Sequence, residues 1–347
     1  MSEQEGRRAE FLTGAGWGLA EIQPLAGDAS FRRYFRLRDG ERKAMLMDAP
    51  PPVEDVRPFQ RIARLLHQLD YSAPLILAGD PAGGFLLLED LGDATYTRLI
   101  EAGADERMLY LLATDLLADM HARFDLGPAK DVPAYSDQRL LDEAALLTDW
   151  FLPAATGNPT DPDIRADYLA RWAAVLPLAR TVPDSLTLRD YHIDNLMYLE
   201  ERPGLRACGL LDFQDAVIGP VAYDLVSLIE DARRDIGPEI VAACRARYLE
   251  RSPGIDAAAL DRSLAILGAQ RHAKVIGIFC RLMKRDGKPG YLRHLPRLWR
   301  LIARGLEHPD LADMRAWFET HVPAPLRTIP ESLQASASTQ LGIRSPA

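Results

Sequence analysis

The chain has 347 residues, 48% of them hydrophobic, and a formal net charge of -9. That length supports two lobes with separate cores, and an acidic balance without any Lys/Arg-rich run excludes a nucleic-acid partner, whose phosphates need clustered cations. The start, MSEQEGRRAEF, lacks the apolar core of a signal peptide, and no stretch is long enough to span a bilayer, so the expected location is cytoplasmic with no membrane partner. Cys208, Cys244 and Cys280 are widely spaced in apolar surroundings, a pattern of buried reduced thiols rather than disulfides or zinc ligands.

After a short helical start, Ala20–Asp48 reads as strand, loop, strand, turn, strand: AEIQPLA, then Gly27-Asp28-Ala29-Ser30, FRRYFRL, the turn Arg38-Asp39-Gly40, and AMLMD. A Gly-containing loop between strands can lay backbone N–H groups over phosphates, with Ser30 adding a hydroxyl; it can equally be a plain hairpin turn. Pro50-Pro51-Pro52 breaks the chain before a helix from about Asp55 to Leu69. APLILAG and GFLLLED then read as two more strands, which completes a five-stranded antiparallel lobe ending at Glu89-Asp90-Leu91-Gly92.

From Ala94 the pattern turns helical. MLYLLATDLLADMHARF repeats apolar positions at three- and four-residue intervals, and His121 on that face reads as a hydrogen-bonded core residue. Helices are expected at about Asp137–Leu152 and Asp163–Arg180. Two apolar runs, Leu196–Leu199 and Leu205–Leu211, flank the turn-rich Glu200-Glu201-Arg202-Pro203-Gly204, the form of an antiparallel hairpin. Pairing brings its outer ends together, so Asn195 and Asp212 emerge side by side, with Asp190 in a tight loop at the same end. Three oxygen-bearing side chains at one point suit a hard cation such as magnesium that keeps positions for phosphate oxygens. Asp224 is expected to cap the helix begun by GPVAYDL. A long helix over about Asp256–Lys284 carries Arg271, Lys274 and Arg281, either as a charged outer face or to recognise an anionic group. The end, from Arg327, is rich in Ser, Thr and Pro.

D-x-H-x-x-N at Asp190, His192 and Asn195, followed by a strand ending in the Asp of LLDF at Asp212, resembles the catalytic and metal loops of aminoglycoside phosphotransferase-type small-molecule kinases. The resemblance implies an α+β, protein-kinase-like, two-lobed fold: a small antiparallel-sheet lobe over residues 1–90 and a mainly helical lobe over 91–326, to which composition adds an expected disordered tail over 327–347. It implies that Asp190 accepts the proton of the attacking hydroxyl, while Asn195 and Asp212 hold Mg2+ against the phosphates of ATP. Gly27, Asp28, Ala29 and Ser30 would cover those phosphates, and the linker at Glu89 and Leu91 would offer backbone to adenine. Leu116 to His121 resembles an L-x-x-L-H signature in which the histidine is structural. Glu143, Asp149 and Trp150 fall in a region that forms a wall of the acceptor site, where each reads equally as a solvated or core residue. Arg189, His192, Gln214 and Asp215 are further acceptor candidates beside the loop.

One departure stands out: the third strand offers Met45 and Met47 where such kinases carry a phosphate-pairing Lys. Lys43, on the same face as the two methionines, and Arg33 are the candidate replacements, and Gln60 stands where the partner Glu is expected. The longer stretches GDASFRRYFRL, MDAPPPVED with PFQRIARLL, and QRHAKVIGIFCRL are similar to N-acetylmuramate/N-acetylglucosamine anomeric kinases of bacterial cell-wall recycling. That likeness implies ATP-dependent phosphorylation of the C1 hydroxyl to the α-1-phosphate. Leu188-Arg189-Asp190, where most relatives have His-Gly-Asp, fits that subgroup. An aminoglycoside phosphotransferase and a non-catalytic nucleotide-binding module are the other readings; GPVAYDL so soon after Asp212 leaves no room for the activation segment of a protein kinase. Nothing in the sequence sets an oligomeric state, so a monomer is the default.

Overall fold

A computed structural model describes residues 3–25, 31–125, 127 and 129–334. Gly27, Asp28, Ala29 and Ser30, and all of the expected tail beyond residue 334, lie outside the described residues. The chain forms two compact units. One takes in the described residues up to Leu116 together with Asp125–Asp131 and Leu188–Ala216; the other takes in Leu117–Phe124, Val132–Thr187 and the chain from Val217 onward.

The first unit is built on a five-stranded sheet of β1 (Glu21–Pro24), β2 (Arg33–Asp39), β3 (Arg42–Asp48), β4 (Ile76–Asp80) and β5 (Phe85–Leu88). Its order is β1-β2-β3-β5-β4, antiparallel throughout, as the alternation predicts. Directly paired residues share a face. Phe35, Leu37, Ala44, Leu46, Phe85 and Leu87 therefore form one face, and they pack in a core with Leu12 and Trp17, contributed by α1 (Glu3–Gly14) and the turn after it. Arg33 belongs to this face, two residues before Phe35. It donates to Asp48 at 2.8 Å, and buried Asp48 also accepts from Gln4 at 2.8 Å and lies 3.7 Å from Arg8. The opposite face carries Tyr34, Arg36, Met45, Met47, Leu86 and Leu88. The turn into β5 needs a glycine at Gly84: its φ is +77°, and a β-carbon there would run into the carbonyl of Ala49.

Next to the sheet, α2 (Arg57–Gln68) buries Phe59, Ile62, Ala63, Leu65 and Leu66, the three- and four-residue spacing of an amphipathic helix. The short α3 (Tyr96–Glu101) starts at Thr95, whose side chain accepts from Arg98 N, and α4 (Glu106–Arg123) follows.

In the second unit, α5 (Asp137–Leu146) opens into a π-helical stretch at Leu147–Phe151 before α6 (Leu152–Thr156), where one continuous helix is expected from the sequence. The widening coincides with a close approach: the long helix Ala257–Asp286 presents Gly277 to Leu146, whose backbone leaves no room for a β-carbon. The helix α7 (Pro162–Val175) gives way to a 3₁₀ turn, Leu176–Thr181, instead of reaching Arg180. Strands Asp184–Thr187 and Val217–Pro220 pair antiparallel, and α8 (Ala222–Ile229) follows. The cations of the long helix do not form an outer face: Arg271 and Lys274 are buried. Lys274 contacts Glu143 at 3.0 Å and donates to Tyr223 at 3.3 Å, and Tyr135 donates to the same Glu143. The three cysteines are free and buried, and burial pushes the Cys208 thiol up to about 11 and that of Cys280 to about 12. No helix among the described residues is long and apolar enough to cross a membrane.

Candidate active site

The expected hairpin forms, with strands Leu196–Tyr198 and Cys208–Leu210 paired antiparallel; residues Gly204–Ala207 are a 3₁₀ turn instead of strand. Beyond the last pair, Leu211 N donates to Asn195 O at 2.9 Å, which places Asn195 and Asp212 at the same open end. The hairpin is tied into the first unit on both edges. Leu210 N donates to Ser72 O at 2.7 Å, and Tyr198 N donates to Ala94 O at 2.8 Å. Phe213, next to Asp212, packs on Phe59 of α2 with ring centroids 4.7 Å apart.

The loop before the hairpin is held by its own backbone. Asp190 N donates to Leu188 O at 2.9 Å, His192 N to Asp190 O at 3.1 Å, and Asn195 N to His192 O at 2.9 Å. Tyr191 anchors it by donating to Ala113 O at 2.9 Å. Asn195 Nδ2 donates to the carbonyl of Asp190 at 2.9 Å, so the amide nitrogen is committed inward and Oδ1 is the other end of the group. At this site Arg189, with φ +73° immediately before Asp190, and Asp212, with φ +55°, have left-handed backbone without being glycine. Conformations of this kind cost about 1–3 kcal/mol and persist where the surroundings impose them, typically at functional loops.

Asp212 is half-exposed. Desolvation first and then the Asp190 carboxylate push its carboxyl above the usual carboxylate range; Gln214, donating to it at 2.8 Å, Arg32 and His192 pull it back. A carboxylate and a carboxamide oxygen brought to one end of a hairpin, with a second carboxylate close enough to be repelled, fit a hard cation that completes its shell with phosphate and water oxygens. Among the described residues no set of three or more His, Cys, Asp or Glu forms a site of its own.

Two cations that the sequence reading passed over line this region. Arg32, just before β2, lies 3.6 Å from Glu54 and 3.9 Å from Asp212. Arg36 is locked on the segment after β5: it contacts Asp90 and Asp93 at 2.8 Å each and donates to Gly92 O at 3.1 Å. Of the two cations weighed from sequence, Arg33 is committed to Asp48 on the opposite face. Lys43 is on the right face but exposed, roughly 16 Å away along β3 at about 3.3 Å per residue from Asp48. Glu89 pairs its side chain with Arg202 of the hairpin turn and accepts from Leu75 N at 3.2 Å, and its own N–H donates to Leu75 O at 2.8 Å.

With this geometry in place, comparison with known sequences is decisive. The profile described as the phosphotransferase enzyme family matches residues 21–262. The chain belongs to that family. An N-acetylmuramate/N-acetylglucosamine kinase of Caulobacter vibrioides is 39% identical, covering 94% of this chain and 99% of the relative. One from Pseudomonas aeruginosa is 40% identical, covering 88% and 90%. Among solved structures, the choline kinase LicA of Streptococcus pneumoniae superposes with a TM-score of 0.62 at 12% identity over 90% of this chain and 99% of that one. The ADP-bound aminoglycoside phosphotransferase APH(2'')-Ib does so with a TM-score of 0.53 at 16% identity, over 82% and 94%. The protein-kinase-like fold expected from the catalytic loop is thus the fold of this phosphotransferase.

The acceptor candidates divide between the two units of the phosphotransferase. Arg189, His192, Gln214 and Asp215 surround Asp190 and Asp212 in the first; Arg189 donates to Asp215 O at 3.5 Å, and Gln214 bridges Asp212 and Asp215. In the second unit, Glu143 belongs to the buried Lys274 cluster. Asp149 accepts from Arg165 Nε at 2.7 Å and from Nη2 at 3.1 Å, and Trp150 is half-buried. Asp224 does not cap its helix. Val221 holds that position, and Asp224 lies fully buried inside the first turn.

His121 is hydrogen-bonded through Nδ1 to Tyr248 at 2.7 Å, and burial drives it down to about 3, so it is neutral in the folded protein. Its unfolded counterpart takes a proton near pH 6.5. Stability should therefore be full above about pH 6.5 and fall as the pH drops towards 3, by at most about 1.4 kcal/mol per pH unit from this group. Urea unfolding at pH 7 and pH 5 should give a larger loss for wild type than for His121→Asn; equal losses would assign the acid sensitivity elsewhere.

Proposed function

We propose that the protein is an ATP-dependent kinase that phosphorylates the anomeric C1 hydroxyl of N-acetylmuramate and N-acetylglucosamine to the α-1-phosphate, a step that fits peptidoglycan recycling. The observation that carries the choice of acceptor is the identity of about two residues in five with amino-sugar kinases over nearly the whole chain. The reaction class rests on the loop geometry. Asp190 takes the proton from the C1 hydroxyl as its oxygen bonds to the γ-phosphorus of ATP, and the bond to the β,γ-bridging oxygen breaks to release ADP. Asn195 and Asp212 are the residues that would hold Mg2+. That ion, when bound, offsets charge on the phosphate oxygens. The hairpin holds both residues just beyond the ends of its paired strands, and the bond from Asn195 to the Asp190 carbonyl keeps base and ligand in register.

The test is ADP release by the purified protein across a panel of amino sugars and aminoglycosides, followed by phosphorus NMR of the product. N-acetylmuramate and N-acetylglucosamine should outpace every aminoglycoside and yield a single anomeric phosphate. Faster turnover of an aminoglycoside would overturn the acceptor, and a phosphate at another ring position would overturn the C1 assignment.

A further inference from the structure

Kinases of this fold hold nucleotide phosphates with a lysine on the third strand, oriented by a carboxylate from the following helix. Here both third-strand positions on that face are methionines, Met45 and Met47, and α2 carries no acidic residue in its first turn. The face is nevertheless not without a cation at the end nearest Asp212. Arg32, Tyr34 and Arg36 alternate along β2 and its approach, so all three project to the side of the sheet that carries Met45 and Met47. Arg36 is consumed by Asp90, Asp93 and Gly92. Arg32 is different: its guanidinium spans Glu54 on one side and Asp212 on the other, and its side chain is only 14% exposed. Burial pushes the nearby Tyr34 hydroxyl up to about 12, and the Arg32 charge pulls it back.

We infer that Arg32 is the phosphate-binding cation of this site, displaced from the third strand to the second, and that Glu54 is the positioning residue that orients it. The inference rests on the kinase reading above. A guanidinium carries the same charge as the lysine but a planar fork of donors, so it can keep Glu54 with one edge and meet phosphate oxygens with another. Its approach to Asp212 aims that second edge at the carboxylate proposed to hold the metal, where the phosphates of a nucleoside triphosphate would collect. Glu54 comes from the segment after Pro50-Pro51-Pro52, just before α2, so the carboxylate has moved out of the helix as the cation has moved off the third strand.

The experiment compares wild type with Arg32→Met, Arg32→Lys and Glu54→Gln. It measures steady-state turnover and calorimetric binding of adenosine, ADP and ATP with magnesium. Arg32→Met should lower kcat/KM for ATP by about 100-fold or more and ATP affinity by about tenfold, with adenosine affinity within about twofold of wild type. Arg32→Lys should restore a large part of both losses, and Glu54→Gln should lower kcat by about tenfold with little change in adenosine binding. Wild-type ATP affinity and turnover in Arg32→Met would overturn the inference, as would equal losses for adenosine and ATP, the mark of a merely structural residue. Should Arg32→Met not fold, Arg32→Gln decides: weaker ATP with unchanged adenosine supports the role, and no change in either removes it. The binding series also separates the two readings, because a wild type that turns over no sugar yet prefers ATP to adenosine refutes the acceptor and still tests Arg32.

Discussion

Asp190→Asn is expected to lower turnover by about 10²–10⁴-fold while leaving ATP affinity within about threefold of wild type. The substitution keeps the shape of the side chain, and the backbone bonds that hold the loop, from Asp190 N to Leu188 O and from Asn195 Nδ2 to Asp190 O, involve only main-chain atoms of residue 190. What it removes is the proposed base for the hydroxyl proton, whose contribution would be made in the transition state and not in nucleotide binding. Quench-flow measurement of product formation beside calorimetric ATP titration checks both halves. Unchanged turnover would take the base away from Asp190; a parallel collapse of ATP binding would make the residue a structural part of the nucleotide site.

Asp212→Asn should act on a different quantity. Gln214 and Arg32 still have an oxygen to meet, so the local geometry persists, but the carboxylate charge proposed to hold the metal is gone. Loss of electrostatic help of several kcal/mol corresponds to a fall in kcat of about 100-fold or more, and the magnesium concentration for half-maximal activity should rise with it. Titration of activity against magnesium separates this from Asp190→Asn, for which the half-maximal concentration should stay near that of wild type. An Asp212→Asn protein with the wild-type magnesium curve would exclude the residue as a ligand.

The hairpin at the centre of the site was legible because its two determinants, alternation and a turn-rich break, are local. Pairing then dictates that Asn195 and Asp212 share an end, whatever the rest of the chain does. The phosphate cation was not legible in the same way. Alternation correctly put Lys43 on the side of Met45 and Met47, but it reports a side and not a position along the strand, and Lys43 sits at the far exposed end. Applied to β2, the same rule would have rejected Arg33, which shares the side of Phe35 and Leu37, and selected Arg32. Glu54 had no periodic signal, since it lies outside the helix. The left-handed backbone at Arg189 and Asp212 left no trace either, because neither residue is a glycine. In the second unit, the burial of Arg271 and Lys274 was hidden by their charge; for Lys274, the partners Glu143 and Tyr223 offset the cost of burying the ammonium.

The grip of Arg36 on residues 90–93 has a consequence for the rate and thermodynamics of ligand capture. A segment anchored by two carboxylates and a carbonyl on one guanidinium has lost its conformational entropy when the chain folds, so a ligand that hydrogen-bonds to its backbone meets a surface already in order. Association there would lack the slow ordering phase of a disordered loop, and discrimination among bases would depend on fixed donor and acceptor positions instead of on a loop that adapts to each.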